Sequence, residues 1–306
     1  MSIETMRKAL HGVSGVPVTA YDGNGDVDRT VTAKVYARVA KAGIHNLVAA
    51  GNTGEFYALT PDEIRVVHEA AIEGADGRAP VTAAIGRSQR EAIAMAKAAE
   101  KMGASAVMSH QPVDPFAAPQ AQIDYFRGLA DASPLPLVAY VRADGFGLDD
   151  LLRLAGHANV AGIKFATTDI MLLSRLTAQA DPDGALFVCG LAESWAPAFT
   201  AVGAKGFTSG LVNVAPQLSL QLLAALNAGD WEAQRRILAL IEPFERMRTK
   251  YRNGTNVTVV KEAVSMSGIE VGAVREPGLP RLEDADRASL KRILASWDDE
   301  VVLKAS

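Results

Sequence analysis

The chain has 306 residues, of which 49% are hydrophobic, and a formal charge of −4 at pH 7. That apolar content excludes a mainly disordered chain, and the mild acidity removes any general attraction to nucleic-acid backbones. The single cysteine, Cys189, excludes an internal disulfide, and no Cys/His spacing suits zinc. The first residues, MSIETMRKALHGVSG, hold no apolar h-region, and no apolar run approaches the ~18 residues of a membrane span. A soluble, cytoplasmic protein is the expectation.

Short runs rich in Val, Ile and Leu alternate with longer Ala-rich, charged stretches of helical period. The runs fall at 15–19, 46–50, 80–85, 104–109, 135–141, Val160–Phe165, 185–189 and 205–208. Most are too short and too uniformly apolar for half-exposed strands, so they predict eight buried parallel ones. Thr60-Pro61-Asp62-Glu63 opens a helix, with Thr as N-cap, Pro in the first turn and acids at the positive end of the dipole. Helices over 90–102, closed by Gly103, and over 121–132 and 148–155 continue the alternation. Eight β-then-α units predict an α/β fold, a closed (β/α)8 TIM barrel, rather than an open doubly wound sheet. No G-x-G-x-x-G follows the first run, which argues against dinucleotide binding. The eighth barrel helix falls near 214–227, and helices over 231–252, 257–266 and 284–297 follow. The expected division is a catalytic barrel over 1–228 and a helical extension over 229–306.

Barrels of this type react at the C-terminal ends of their strands. The second run ends in Gly51-Asn52-Thr53-Gly54-Glu55, a tight turn whose N–H groups suit a small anion. An ordinary βα turn with an N-cap reads the same way. Lys164 sits among Val160, Ile163, Phe165 and Ala166, where burial lowers an amine's pKa and makes it nucleophilic. The plain alternative is a strand-end lysine that snorkels to water. Tyr140 ends the fifth run, where a phenol can relay a proton or simply be buried with its hydroxyl satisfied. His110 ends the fourth run and can face the same mouth. Cys189, inside an apolar run, reads as core.

Together these residues resemble the dihydrodipicolinate synthase/N-acetylneuraminate lyase superfamily of Schiff-base-forming barrel enzymes. The likeness rests on Gly51-Asn52-Thr53-Gly54-Glu55, Tyr140, Gly162-Ile163-Lys164 and the Asn-Val-x-Pro stretch at Asn213 to Pro216. It is nearest to the 5-dehydro-4-deoxyglucarate dehydratase branch, through Ala49 to Phe56, Tyr140-Val141-Arg142 and Val274-Arg275-Glu276-Pro277. Three departures from that branch stand out: Asn52 and Val141 in place of glycine and asparagine, and Phe165 after the lysine, closer to some neuraminate lyases. The synthase branch fits less well. Gly145 stands where it has arginine, and Ser109-His110-Gln111-Pro112 lacks its tyrosine pair.

The resemblance implies a lyase in which Lys164 forms an imine with a 2-keto acid and Tyr140 serves as acid/base. Gly51, Asn52, Thr53 and Gly54 would hold the C1 carboxylate. Arg142 and Ser209 would reach distal hydroxyls or a second carboxylate. A 2-keto-3-deoxy sugar acid or N-acetylneuraminate-type aldolase is the alternative outcome, and a non-catalytic keto-acid-binding protein the alternative of another class. The resemblance calls for no metal or cofactor, and for a homodimer or homotetramer.

Overall fold

Strands covered on both faces need apolar residues at every position, and the short runs supply them. The structure, a computed structural model, describes residues 2–142 and 145–297. Its strands are β1 (Val13–Gly15), β2 (Asn46–Ala49), β3 (Val81–Ile85), β4 (Ala106–His110), β5 (Leu137–Val141), β6 (Val160–Phe165), β7 (Leu186–Cys189) and β8 (Phe207–Ser209). They follow one another in sequence order around a closed barrel, with helices between them and more helices after β8. This is the (β/α)8 TIM barrel that the alternation predicts. From β3 to β8 each neighbouring pair is parallel.

Two boundaries differ most from the sequence pattern, each for a local reason. The first run was expected over 15–19, but the strand is Val13–Gly15. Pro17 has no N–H to give a ladder. The buried chain beyond it is held instead by single bonds, Val16 N–H to Ser209 O at 2.9 Å and Val18 N–H to Asn213 Oδ1 at 3.0 Å. The helix expected over 231–252 is Trp231–Arg248. It stops because Tyr251 and Arg252 take left-handed backbone, with φ of 53° and 56°.

The chain folds as two compact units. One joins residues up to Ser14 with Pro80–Thr208; the other joins Gly15–Ala79 with Ser209 onward. In the first unit a helix that the sequence pattern did not signal, Ile3–Leu10, packs against β6. Gly162 makes room for it, since a Cβ there would lie 2.7 Å from Leu10 Cδ1. In the second unit the core includes Val18, Val35, Leu218, Phe244 and Val260. It buries faces of the helices Pro216–Ala228, Trp231–Arg248 and Asn256–Met266. The helix Pro61–Ala75 begins as its sequence foretells, with Thr60 Oγ1 accepting from Glu63 N–H and Glu63 Oε2 accepting from Thr60 N–H. Among the described residues no helix is long and apolar enough to cross a membrane.

Candidate active site

In the first unit, strand register lines up the chemistry. His110 pairs with Tyr140, Tyr140 with Lys164, and Lys164 with Val188. Register partners in parallel strands face the same side, so these residues form one row near the strands' C-terminal ends. Lys164 Nζ stands 3.9 Å from the centre of the Tyr140 ring, and the His110 ring lies 5.6 Å beyond it. Lys164 is only 4% exposed. Burial, and secondarily the Arg142 cation, bring its amine down to about 7, against a smaller opposing influence of Cys189. The face of an aromatic ring favours the ammonium form. Burial outweighs it, and a large share of the amine is neutral near pH 7.

Arg142, the first residue past β5, has an exposed side chain, and its N–H donates to Gln111 Oε1 at 2.7 Å. The opposite side of the same strands is core. Phe165, one residue past the lysine, pairs with Cys189 and sets its ring 6.2 Å from that of Phe199. Burial pushes the Cys189 thiol up to about 12, which keeps it protonated and inert, the core role expected for it.

In the second unit, residues 51–55 form the turn after β2. Ala50 and Glu55, at either end of the turn, both take left-handed backbone, at φ of 54° and 64°. Gly51 is required for space, because a Cβ there would lie 2.5 Å from Val16 Cγ1. The Gly54 carbonyl accepts from Thr19 Oγ1 at 2.7 Å, which pins the turn to the chain after β1. Asn52 is half-buried and Thr53 buried. Asn213, from the Asn-Val-x-Pro stretch, donates to Val16 O and Gly210 O at 2.9 Å each. That motif is a staple between the ends of β1 and β8. Among the described residues no group of three His, Cys, Asp or Glu side chains is gathered as a metal would need.

Residues 9–296 match the sequence profile of the Dihydrodipicolinate synthetase family. The chain belongs to that family. It is 34% identical to a probable 5-dehydro-4-deoxyglucarate dehydratase of Streptomyces avermitilis, over 98% of this chain and 91% of that one. A second probable dehydratase of that name, from Streptomyces coelicolor, is 32% identical over 85% of each chain. A crystal structure of dihydrodipicolinate synthase from Oceanobacillus iheyensis superposes with a TM-score of 0.93 at 36% identity, covering 97% of this chain and 99% of that one. The protein is a lyase of the dihydrodipicolinate synthetase family.

One expected site residue of this lyase is placed differently from its sequence reading. Ser209 follows the strand alternation of Phe207, not of Thr208, and Phe207 pairs with Cys189 on the core side. Its hydroxyl meets Ser219 Oγ at 3.2 Å and accepts from Val212 N–H at 3.2 Å, so it serves the fold.

A second group escaped the sequence reading. Glu55, the acid of the turn motif, is buried and paired with the equally buried Lys261 at 2.9 Å. Its other oxygen accepts from Arg275 N–H at 2.9 Å. The Lys261 amine and the Arg275 guanidinium both lie against the Tyr21 ring, 4.1 and 4.2 Å from its centre. Arg275 also forks onto Glu63, whose carboxyl it holds down to about 2. In this lyase Glu55 therefore anchors the turn. Only the V-R-x-P likeness around Arg275 hinted at it, and that gave no partner.

Proposed function

We propose that this lyase dehydrates a 2-keto-3-deoxy sugar acid of the 5-dehydro-4-deoxyglucarate class through an imine on Lys164. The observation that carries this reading is the amine itself: buried at the end of β6, brought down to about 7, and resting on the Tyr140 ring. The neutral Nζ attacks the substrate's C2 carbonyl carbon, and the carbinolamine loses its oxygen as water to give a protonated imine. The positive nitrogen then draws the electrons of the C3–H bond as a proton leaves C3. The enamine so formed expels the C4 hydroxyl, which departs as water after protonation. Water finally adds to the imine carbon and frees Lys164. Tyr140 is the group beside the amine suited to carry the proton during carbinolamine formation and collapse. The Gly51–Gly54 turn offers N–H groups and the Thr53 hydroxyl, donors of the kind a carboxylate needs.

The relatives' names divide between dehydratase and synthase. His110 in the row beside Tyr140, and Gly145 after β5, favour the dehydratase branch, because the synthase-type tyrosine pair and arginine are absent from those positions. The test is a panel of 2-keto-3-deoxy sugar acids followed by mass spectrometry. Loss of water from the substrate is expected. Release of pyruvate with an aldehyde would make the protein an aldolase, and no turnover of any member would leave a binding protein.

A further inference from the structure

Strand β5 ends on Tyr140 and Val141, and the bonds at that tip decide how well the phenol keeps its place beside Lys164. On the β6 flank the backbone is closed past Tyr140, since Ala166 N–H donates to Val141 O at 2.8 Å. On the β4 flank the register ends at His110 and Tyr140. Val107 N–H donates to Pro136 O, and Val107 and Ser109 pair with Leu137 and Ala139. That alternation puts the next bond of a parallel ladder between Arg142 N–H and the main-chain carbonyl of Gln111. Arg142 N–H goes instead to the Gln111 side chain, 2.7 Å from Oε1. A side-chain amide thus closes the seam where a backbone carbonyl would.

Gln111 is buried, and its amide has one workable orientation. Oε1 accepts from a backbone N–H, so Nε2 points the other way, where it donates to Gln122 Oε1 at 2.7 Å. Gln122 Nε2 in turn donates to the Ala117 carbonyl at 3.1 Å. A backbone donor at one end and a backbone acceptor at the other fix the sense of both amides, and a flip of either sets like against like. Gln122 is itself held by the helix Pro119–Ala132, which buries Ile123 and Phe126. The two amides therefore form a brace from that helix to the tip of β5, all within the first unit.

We propose that Gln111 is a positioning residue for the lysine chemistry: its amide, oriented by Gln122, braces the tip of β5 and keeps the Tyr140 hydroxyl where proton transfer beside Lys164 needs it. The proposal rests on the imine reading above and adds to it a residue that acts through Tyr140. A displacement of about 1 Å at a reacting group costs on the order of a hundredfold in rate, so a single bond at a strand tip is enough to matter.

The test follows imine formation between pyruvate and Lys164, quenched with borohydride at intervals and read by mass, at a pH well above the amine's midpoint in each variant. The rate reads proton transfer as the carbinolamine forms and collapses. The final extent reads the amine and the fold. Gln111→Met keeps the bulk and loses the acceptor; at saturating pyruvate its rate should fall about ten- to a hundred-fold, with the final extent kept. In a Tyr140→Phe background the same change should slow the reaction less than about threefold, because the hydroxyl being positioned is already gone. Gln111→Glu keeps an oxygen for Arg142 N–H, and Gln122 can turn its amide to meet the carboxylate, so its rate should lie within about threefold of wild type. Should Gln111→Met fail to fold, Gln111→Asn, whose amide is too short to span both partners, takes its place. An unchanged rate in Gln111→Met would overturn the proposal. So would an equal loss with and without the Tyr140 hydroxyl, or a Gln111→Glu rate as low as that of Gln111→Met, either of which makes the amide a brace for the fold alone. Wild-type protein that forms no pyruvate adduct would instead sink the imine reading on which the proposal stands.

Discussion

Replacing Lys164 by methionine should stabilise the protein in a pH-dependent way. Unfolded, the amine titrates at its ordinary 10.5; folded, burial brings it to about 7. Between those values the unfolded chain binds the proton that the folded chain has given up. Wild-type stability therefore rises with pH across that window. Below about 7 both states are protonated, and the fold carries the full penalty of a buried ammonium. Above 10.5 neither is protonated and the penalty is gone. At about 1.4 kcal/mol for each pH unit between 7 and 10.5, the penalty is on the order of 5 kcal/mol. Loss of the Nζ contact with the Tyr140 ring offsets about 1 kcal/mol of what methionine gains. Lys164→Met should thus exceed wild type by about 4 kcal/mol near pH 6, with the advantage shrinking steadily as pH approaches 10.5. Urea unfolding of both proteins at a series of pH values measures it. A difference independent of pH, or no gain near pH 6, would show that the amine is hydrated and would refute the reasoning.

Three other substitutions probe the site and its support. Tyr140→Phe keeps the ring under Nζ but removes the hydroxyl; kcat should fall about a hundredfold or more while the fold is unchanged, and undiminished turnover would exclude Tyr140 as the proton carrier. Arg142→Ala removes a cation that holds the Lys164 amine down, so the pH midpoint of keto-acid adduct formation should move upward; a midpoint that stays put or falls would contradict the stated cause. Glu55→Gln leaves Lys261 buried opposite a neutral amide and should lower stability by about 3–5 kcal/mol in urea titrations, partly recovered by adding Lys261→Met. An unaltered midpoint would mean that the pair does not anchor the turn.

The barrel was legible because its strands are buried on both faces, and uniform apolar runs have few other uses. β1 was set too late because Pro17 lies inside an apolar run yet cannot join a ladder. Lys164 was legible as a lone charge in such a run, and Tyr140 as a polar residue at a strand end. Their meeting was not, since it depends on the register of β5 against β6. Ser209 shows the limit of strand-end reasoning, in which one residue of phase decides between the lysine side and the core side. One further feature lies beyond any local pattern. The Glu55–Lys261 pair spans 206 positions.

The central claim is that the Lys164 nitrogen condenses with the carbonyl of a 2-keto acid. Wild-type protein mixed with pyruvate at neutral pH, reduced with borohydride and digested, should yield the Lys164 peptide heavier by one reduced pyruvate unit, with no such adduct in Lys164→Met. An unmodified Lys164 peptide, or the same adduct elsewhere in the variant, would contradict it.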